Sequence, residues 1–120
     1  MATNIAVAFV AFLHLLFMVL EMFFWAKPLG RRIFGLTPEL AVQTAALAAN
    51  QGLYNGFLAA GLIWGLASPG DSTAISVFFL SCVIVAGVFG AITVNRSILF
   101  IQAFPGAIAL ILLLVSGRPL

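Results

Sequence analysis

The chain has 120 residues, of which 64% are hydrophobic and 7% charged, with five Lys or Arg against three Asp or Glu. Soluble domains carry roughly 25% charged residues, so this composition excludes an ordinary water-soluble surface and suits a bilayer instead. The length leaves no room for a separate soluble module, the net charge of +2 is no nucleic-acid signal, and one cysteine, Cys82, excludes an intramolecular disulfide.

The first apolar segment spans about residues 5–26, long enough to cross a hydrocarbon core of roughly 30 Å. No Lys or Arg precedes it, and it is too long for a signal-peptide core, so it reads as a retained helix. Phe23, Phe24 and Trp25 stand at its end as an aromatic belt would. The stretch from Lys27 to Glu39 is the charge-dense part of the chain and reads as a loop, because Pro28, Gly30 and Gly35 break helical continuity. Thr37, Pro38 and Glu39 then supply an N-cap, a proline at the first helical position and an acid in the first turn.

The second helix is expected over 38–67, ending before a polar turn in which Asp71 or Ser72 caps the third helix, expected over 73–94. Asn95, Arg96 and Ser97 form a tight connection to a fourth helix over 98–115, where Pro105-Gly106 predicts a kink. The expected fold is therefore all-α, one transmembrane domain of four helices packed as a bundle. Lys27, Arg31, Arg32 and Arg96 fall in the connections after helices one and three, against Arg118 on the other side. The positive-inside rule puts those connections in the cytoplasm and both termini outside, in a multi-pass protein of the cell inner membrane.

In so apolar a chain the polar exceptions carry the information, since ionisable groups inside a bilayer are costly and face an interior. His14 and Glu21 are seven residues apart, on one stripe of helix one with Ala11, Met18 and Trp25. They read either as a titrating or ligand-binding pair or as interhelical bonds, with Glu21 pairing Arg31 or Arg32. On helix two, Asn50, Gln51 and Tyr54 share a side with Asn55 at its edge, extended by Gly61 and Gly65; the opposite side collects Ala45, Ala49, Gly52, Gly56 and Ala60. Gly52-x-x-x-Gly56 permits close helix packing and makes that face the candidate seam of a homo-oligomer. Ser76, Ser81, Cys82 and Thr93 can bond back to their own backbone, Gly87-x-x-Gly90 reads as a packing notch, and Gln102 shares a side with Gly106. No phosphate loop, nucleophile elbow or Cys/His metal cluster appears, so no metal, resident cofactor or catalytic residue is assigned.

The stretches Leu20 to Trp25, Gly30 to Glu39, Ala48 to Gly56 and Ile98 to Ala103 resemble a family of small bacterial membrane proteins catalogued as a domain of unknown function. The layout also resembles the membrane-associated proteins of eicosanoid and glutathione metabolism, through Ala48, Asn50, Tyr54 and the Arg31-Arg32-x-Phe34 loop. That second resemblance implies a trimeric four-helix bundle and raises glutathione as a ligand. Against it, Leu53 stands where that family commonly has Glu, and Ala45 or Leu47 where it has Arg; Arg96 alone remains near the end of helix three.

The expected function is binding, or transport, of a small or lipid-like molecule in a polar intramembrane pocket lined by Glu21, Asn50, Gln51, Tyr54, Asn55 and Gln102, with His14 beside them. Glu21 supplies charge or a proton acceptor, the amides orient the ligand, and Arg31 or Arg32 attracts an anionic group. A glutathione-transferase-like membrane enzyme, a proton-coupled exporter resembling the small multidrug transporters, and a purely structural role are the other readings.

Overall fold

A computed structural model describes residues 1–70 and 72–118. Asp71, one of the two residues expected to cap the third helix, lies outside them, as do Pro119 and Leu120. The described residues form five α-helices and two π-helical turns: α1 (Ala2–Val19), a π turn (Leu20–Phe24), α2 (Pro28–Phe34), α3 (Pro38–Ala67), α4 (Ser72–Thr93), a π turn (Leu99–Ala103) and α5 (Phe104–Val115). The chain is all-α, with two stretches long and apolar enough to cross a membrane, Ala2–Phe24 and Ser72–Thr93.

Three expectations are corrected. The first helix starts earlier, at Ala2, and is not uniform to residue 26, because its last turn widens to π geometry over Leu20–Phe24. The basic stretch is not a loop. Pro28 opens α2 at the first helical position, where its fixed φ fits and its missing N–H is no loss, and Gly35 closes it at φ 65°. The N–H groups of Gly35 and Leu36 both donate to the Arg31 carbonyl, so the residues that looked like breakers are a helix start and stop. The fourth helix begins with a π turn before Pro105, which lacks the N–H that would bond the Ile101 carbonyl; a widened turn is one way a helix absorbs that loss.

Other local expectations hold. Leu40 N–H donates to Thr37 Oγ1 at 3.2 Å, capping α3 one residue ahead of Pro38. Ser97 N–H donates to Asn95 Oδ1 at 2.9 Å and closes the tight turn after α4. Of the four side chains expected to bond back in α4, Ser81 and Thr93 donate to the carbonyls four residues back, Val77 and Phe89.

The chain divides into two compact units, residues 13–57 and residues 1–12 with 58–120. The larger unit has an apolar core of Val7, Val10, Leu62, Leu80, Val83 and Leu113 with small Ala11 and Ala109. Its helices approach closely at glycines. Gly61 faces the Phe79 ring, Gly65 lies against Ser76, and a Cβ at Gly87 would come within 2.6 Å of the Ala103 backbone nitrogen. Gly87 is thus the expected notch. Thr3 Oγ1 donates to the Leu112 carbonyl at 3.4 Å and Arg118 to Asn4 Oδ1 at 2.9 Å, so the start of α1 and the end of α5 lie side by side.

In the smaller unit, the end of α1 with its π turn packs on the first half of α3. Cβ atoms at Gly52 and Gly56 would press on Met18, Met22 and Glu21. The Gly52-x-x-x-Gly56 face is therefore occupied by this chain's own first helix. Trp25 Nε1 donates to Thr44 Oγ1 at 2.9 Å, and that hydroxyl donates to the Leu40 carbonyl at 2.7 Å, pinning the end of the first helical segment to the start of α3.

Candidate functional site

Glu21 sits in the π turn after α1 and is 5% exposed. An acid buried in so apolar a chain needs hydrogen-bond partners, because an uncompensated buried charge is strongly disfavoured. Two come from the first half of α3. Asn55 Nδ2 donates to Oε2 at 2.7 Å, and Gln51 Nε2 donates to Oε1 at 3.1 Å. Gln51 and Asn55 are one turn apart, so their amides lie on one side of α3 and take one carboxylate oxygen each.

The close approach that makes these bonds possible is set by Gly52, whose missing side chain leaves room for the Glu21 Cβ and the Met18 carbonyl, both 3.1 Å from where a Cβ would stand. At 100° per residue, Asn55 lies about 40° from Gln51 and about 60° from Gly52, so it stands at the edge of the polar side, where that side meets the small-residue face. The glycines and the amides are one surface: the glycines bring the helices together and the amides then reach the acid.

The cluster is asymmetric. Asn55 is buried at 8% exposure, whereas Gln51 is an exposed residue, so the Oε1 side lies nearer the surface than the Oε2 side. Oxygen and nitrogen assignments of the amides follow from this bonding pattern, since only the NH₂ groups can serve the carboxylate.

The remaining expected site residues are placed as follows. Asn50 is exposed, on the far side of α3 from Glu21. Tyr54 is also exposed, at 59%, its ring edge-on to Phe57. Neither joins the cluster, because α3 turns them about 160° from Gly52. His14 is fully buried and meets Phe17 edge-on at 5.9 Å between ring centres. Gln102 is half-buried in the larger unit, within its π turn. Arg31 is half-buried and Arg32 exposed, both in the last turn of α2. The Glu21 carboxylate takes its bonds from neutral amides, and not from either arginine as the ion-pair reading supposed.

The sequence reading missed the collar around Trp25. Its indole bonds Thr44 and stacks obliquely on Phe34 at 4.7 Å between centres, while Lys27 Nζ stands 5.2 Å from the centre of the Phe24 ring. An indole N–H seeking an acceptor was a usable signal, and Thr44 was the available hydroxyl near the start of α3. Among the described residues no three His, Cys, Asp or Glu side chains gather as a metal site would require. Cys82 is a free, half-buried thiol.

The arrangement is a buried hydrogen-bond acceptor with one oxygen fixed by a buried amide and the other by an amide at the surface. It suits holding a donor group, such as an ammonium or hydroxyl, more than attacking a substrate.

Comparison with known proteins agrees with the whole-chain resemblance. A family model described as "Protein of unknown function (DUF1304)" matches residues 8–114. The "Uncharacterized protein YpaA" of Lactococcus lactis subsp. lactis (strain IL1403) is 32% identical over 98 residues, covering 78% of this chain and 81% of that protein. No solved structure matches. The family match takes in Glu21, both of its amide partners and the basic helix, and the chain belongs to the DUF1304 family.

Proposed function

We propose that this chain is a multi-pass inner-membrane protein, its four crossing segments packed as a bundle with both termini outside, that binds a small or lipid-like molecule through Glu21. The membrane part is supported by the nature of the exposed surface. Only 33% of the apolar window in Ala2–Phe24 and 22% of that in Ser72–Thr93 is buried, where the core helix of a soluble protein would be mostly covered. Phe9, Phe12, Phe78, Phe89 and Ile92 are among the large apolar side chains left open, which lipid tolerates and water does not.

The binding part rests on one observation, the carboxylate of Glu21 held between Gln51 and Asn55. A ligand carrying an ammonium or hydroxyl group takes the place of the Gln51 amide on Oε1, since that side chain is exposed and free to swing out, while Asn55 keeps Oε2 in place. An apolar remainder then lies along the lipid-facing surface. A chain with so little interior of its own works as a homo-oligomer, through a seam other than the Gly52-x-x-x-Gly56 face.

Native mass spectrometry of the protein extracted from inner membranes in mild detergent tests this reading. A co-purifying adduct is expected on the wild type, absent from Glu21→Gln and retained by Asn50→Ala. The same adduct at the same occupancy on Glu21→Gln overturns it.

A further inference from the structure

The helix α2 makes no use of Glu21, yet it holds three of the chain's five Lys and Arg residues at its ends: Lys27 as N-cap, Arg31 and Arg32 in the last turn. No acid lies between Met22 and Pro38. Nothing in the segment itself neutralises this charge, and Arg31 Nε is buried with no hydrogen-bond partner. An unpartnered guanidinium N–H asks for an acceptor, and the neighbouring cations specify an anionic one.

The helix is not loosely tethered. Gly30 rests on the Phe24 carbonyl so closely that any Cβ would overlap it, and Phe34 packs on Trp25. At 100° per residue, Gly30 and Phe34 therefore define the inner side. Lys27 and Arg31 fall about 40° apart on a second side, with Arg32 beyond them. Leu29 and Ile33, one turn apart, form a third and stand open at 48% and 51%. A short helix with one side clamped, one side cationic and one side apolar has the distribution of an interfacial element, whose aliphatic residues dip among acyl chains while its cations stay at headgroup level.

We propose that α2 is a bilayer-surface anchor in which Lys27, Arg31 and Arg32 bind the phosphate-bearing headgroup of an anionic phospholipid. Charge complementarity selects the headgroup, and the open Leu29 and Ile33 select a lipid over a soluble phosphate compound, which has nothing to place against them. A guanidinium donates two N–H bonds to one phosphate, and the Lys27 ammonium adds a third charge-assisted donor. The inference rests on the membrane placement proposed above but is independent of ligand binding at Glu21.

The test is native mass spectrometry of the purified full chain in detergent, with phosphatidylglycerol and phosphatidylcholine of the same acyl composition added in equal amounts. The wild type is expected to retain phosphatidylglycerol preferentially, and 0.5 M sodium chloride to weaken that preference. The double change Arg31→Gln with Arg32→Gln is expected to lower it about ten-fold or more, from the loss of two cations near a charged surface. Leu29→Gln with Ile33→Gln, which keeps every charge, is expected to weaken retention of both lipids. Glu21→Gln leaves the preference intact, separating this anchor from the Glu21 site. The proposal is overturned by an unchanged preference in the arginine variant, by unchanged retention in the Leu29/Ile33 variant, or by inorganic phosphate displacing the lipid at equal concentration.

Discussion

One helix, α3, is used in two different ways along its length. Up to residue 57 it belongs to the unit where side chains hydrogen-bond: Thr44 to Trp25, Gln51 and Asn55 to Glu21. From residue 58 it belongs to the unit where backbones approach, with Gly61 under Phe79, Gly65 under Ser76 and Leu62 in the core. In the bilayer proposed for this chain, lipid tails are as apolar as leucine, so helices gain little by hiding leucines from lipid. They associate through close van der Waals contact or through hydrogen bonds. The larger unit relies mainly on the first means. The smaller one adds the second, and the chain keeps its buried acid there.

The largest effect is expected where backbone meets backbone. A side chain at position 87 would strike the nitrogen, Cα and Cβ of Ala103, none of which can swing aside. Gly87→Val should cost about 3 kcal/mol or more, at the upper end for overpacking. At Gly90 the nearest atoms belong to the Ile98 side chain, at 3.2 Å and beyond, which a rotamer change can relieve. Gly90→Ala should cost less than about 1 kcal/mol. Thermal unfolding in detergent, followed by far-ultraviolet circular dichroism, measures both. Equal losses would mean that backbone contact does not hold the larger unit.

Next comes the acid. Asn55→Ala leaves the buried Oε2 of Glu21 without its donor and should cost about 2 kcal/mol. The double change Glu21→Leu with Asn55→Leu removes donor and acceptor together, and should recover most of that loss in the same melts while abolishing ligand retention. Such a recovery would show that the acid is kept for binding at a cost in stability. A double variant less stable than Asn55→Ala would make the cluster structural.

A smaller loss is expected from Trp25→Phe, which keeps the ring against Phe34 but removes the N–H to Thr44 at 2.9 Å. One hydrogen bond of this kind is worth about 1 kcal/mol.

Much of this was readable from residue order. Hydropathy placed the apolar segments, Thr37 and Pro38 marked the start of α3, and the rarity of acids singled out Glu21. What was not readable depends on partners. Pro28 and Gly35 have the same spelling whether they interrupt a chain or bracket a seven-residue helix; the Phe24 carbonyl beneath Gly30 decides which. The π turns were hidden too, since the widening of a turn leaves no mark in composition. The part that the edge of α3's polar side plays beside the glycines was not readable either. Gly52 and Asn55 differ chemically but face the same neighbour, and only contact with Met18 and Glu21 reveals that they work together.

That last point yields the smallest expected effect and the sharpest use of the contrast within α3. Asn50 carries the same amide group as Gln51 and Asn55, Tyr54 carries a phenol hydroxyl, and both lie within the same two turns. Their exposure turns them away from Glu21, so each should be replaceable at a cost within about 0.5 kcal/mol, as Asn50→Ala and Tyr54→Phe. Gln51→Ala should fall between them and Asn55→Ala, because its bond to Glu21 is longer and its side chain exposed, so water can replace the donor it loses. Melts of the four variants in one detergent should therefore rank by distance from the carboxylate and by burial, and not by side-chain chemistry. A loss at Asn50 or Tyr54 as large as that at Asn55 would instead mean that the far side of α3 is covered, and would place there the seam of the proposed homo-oligomer.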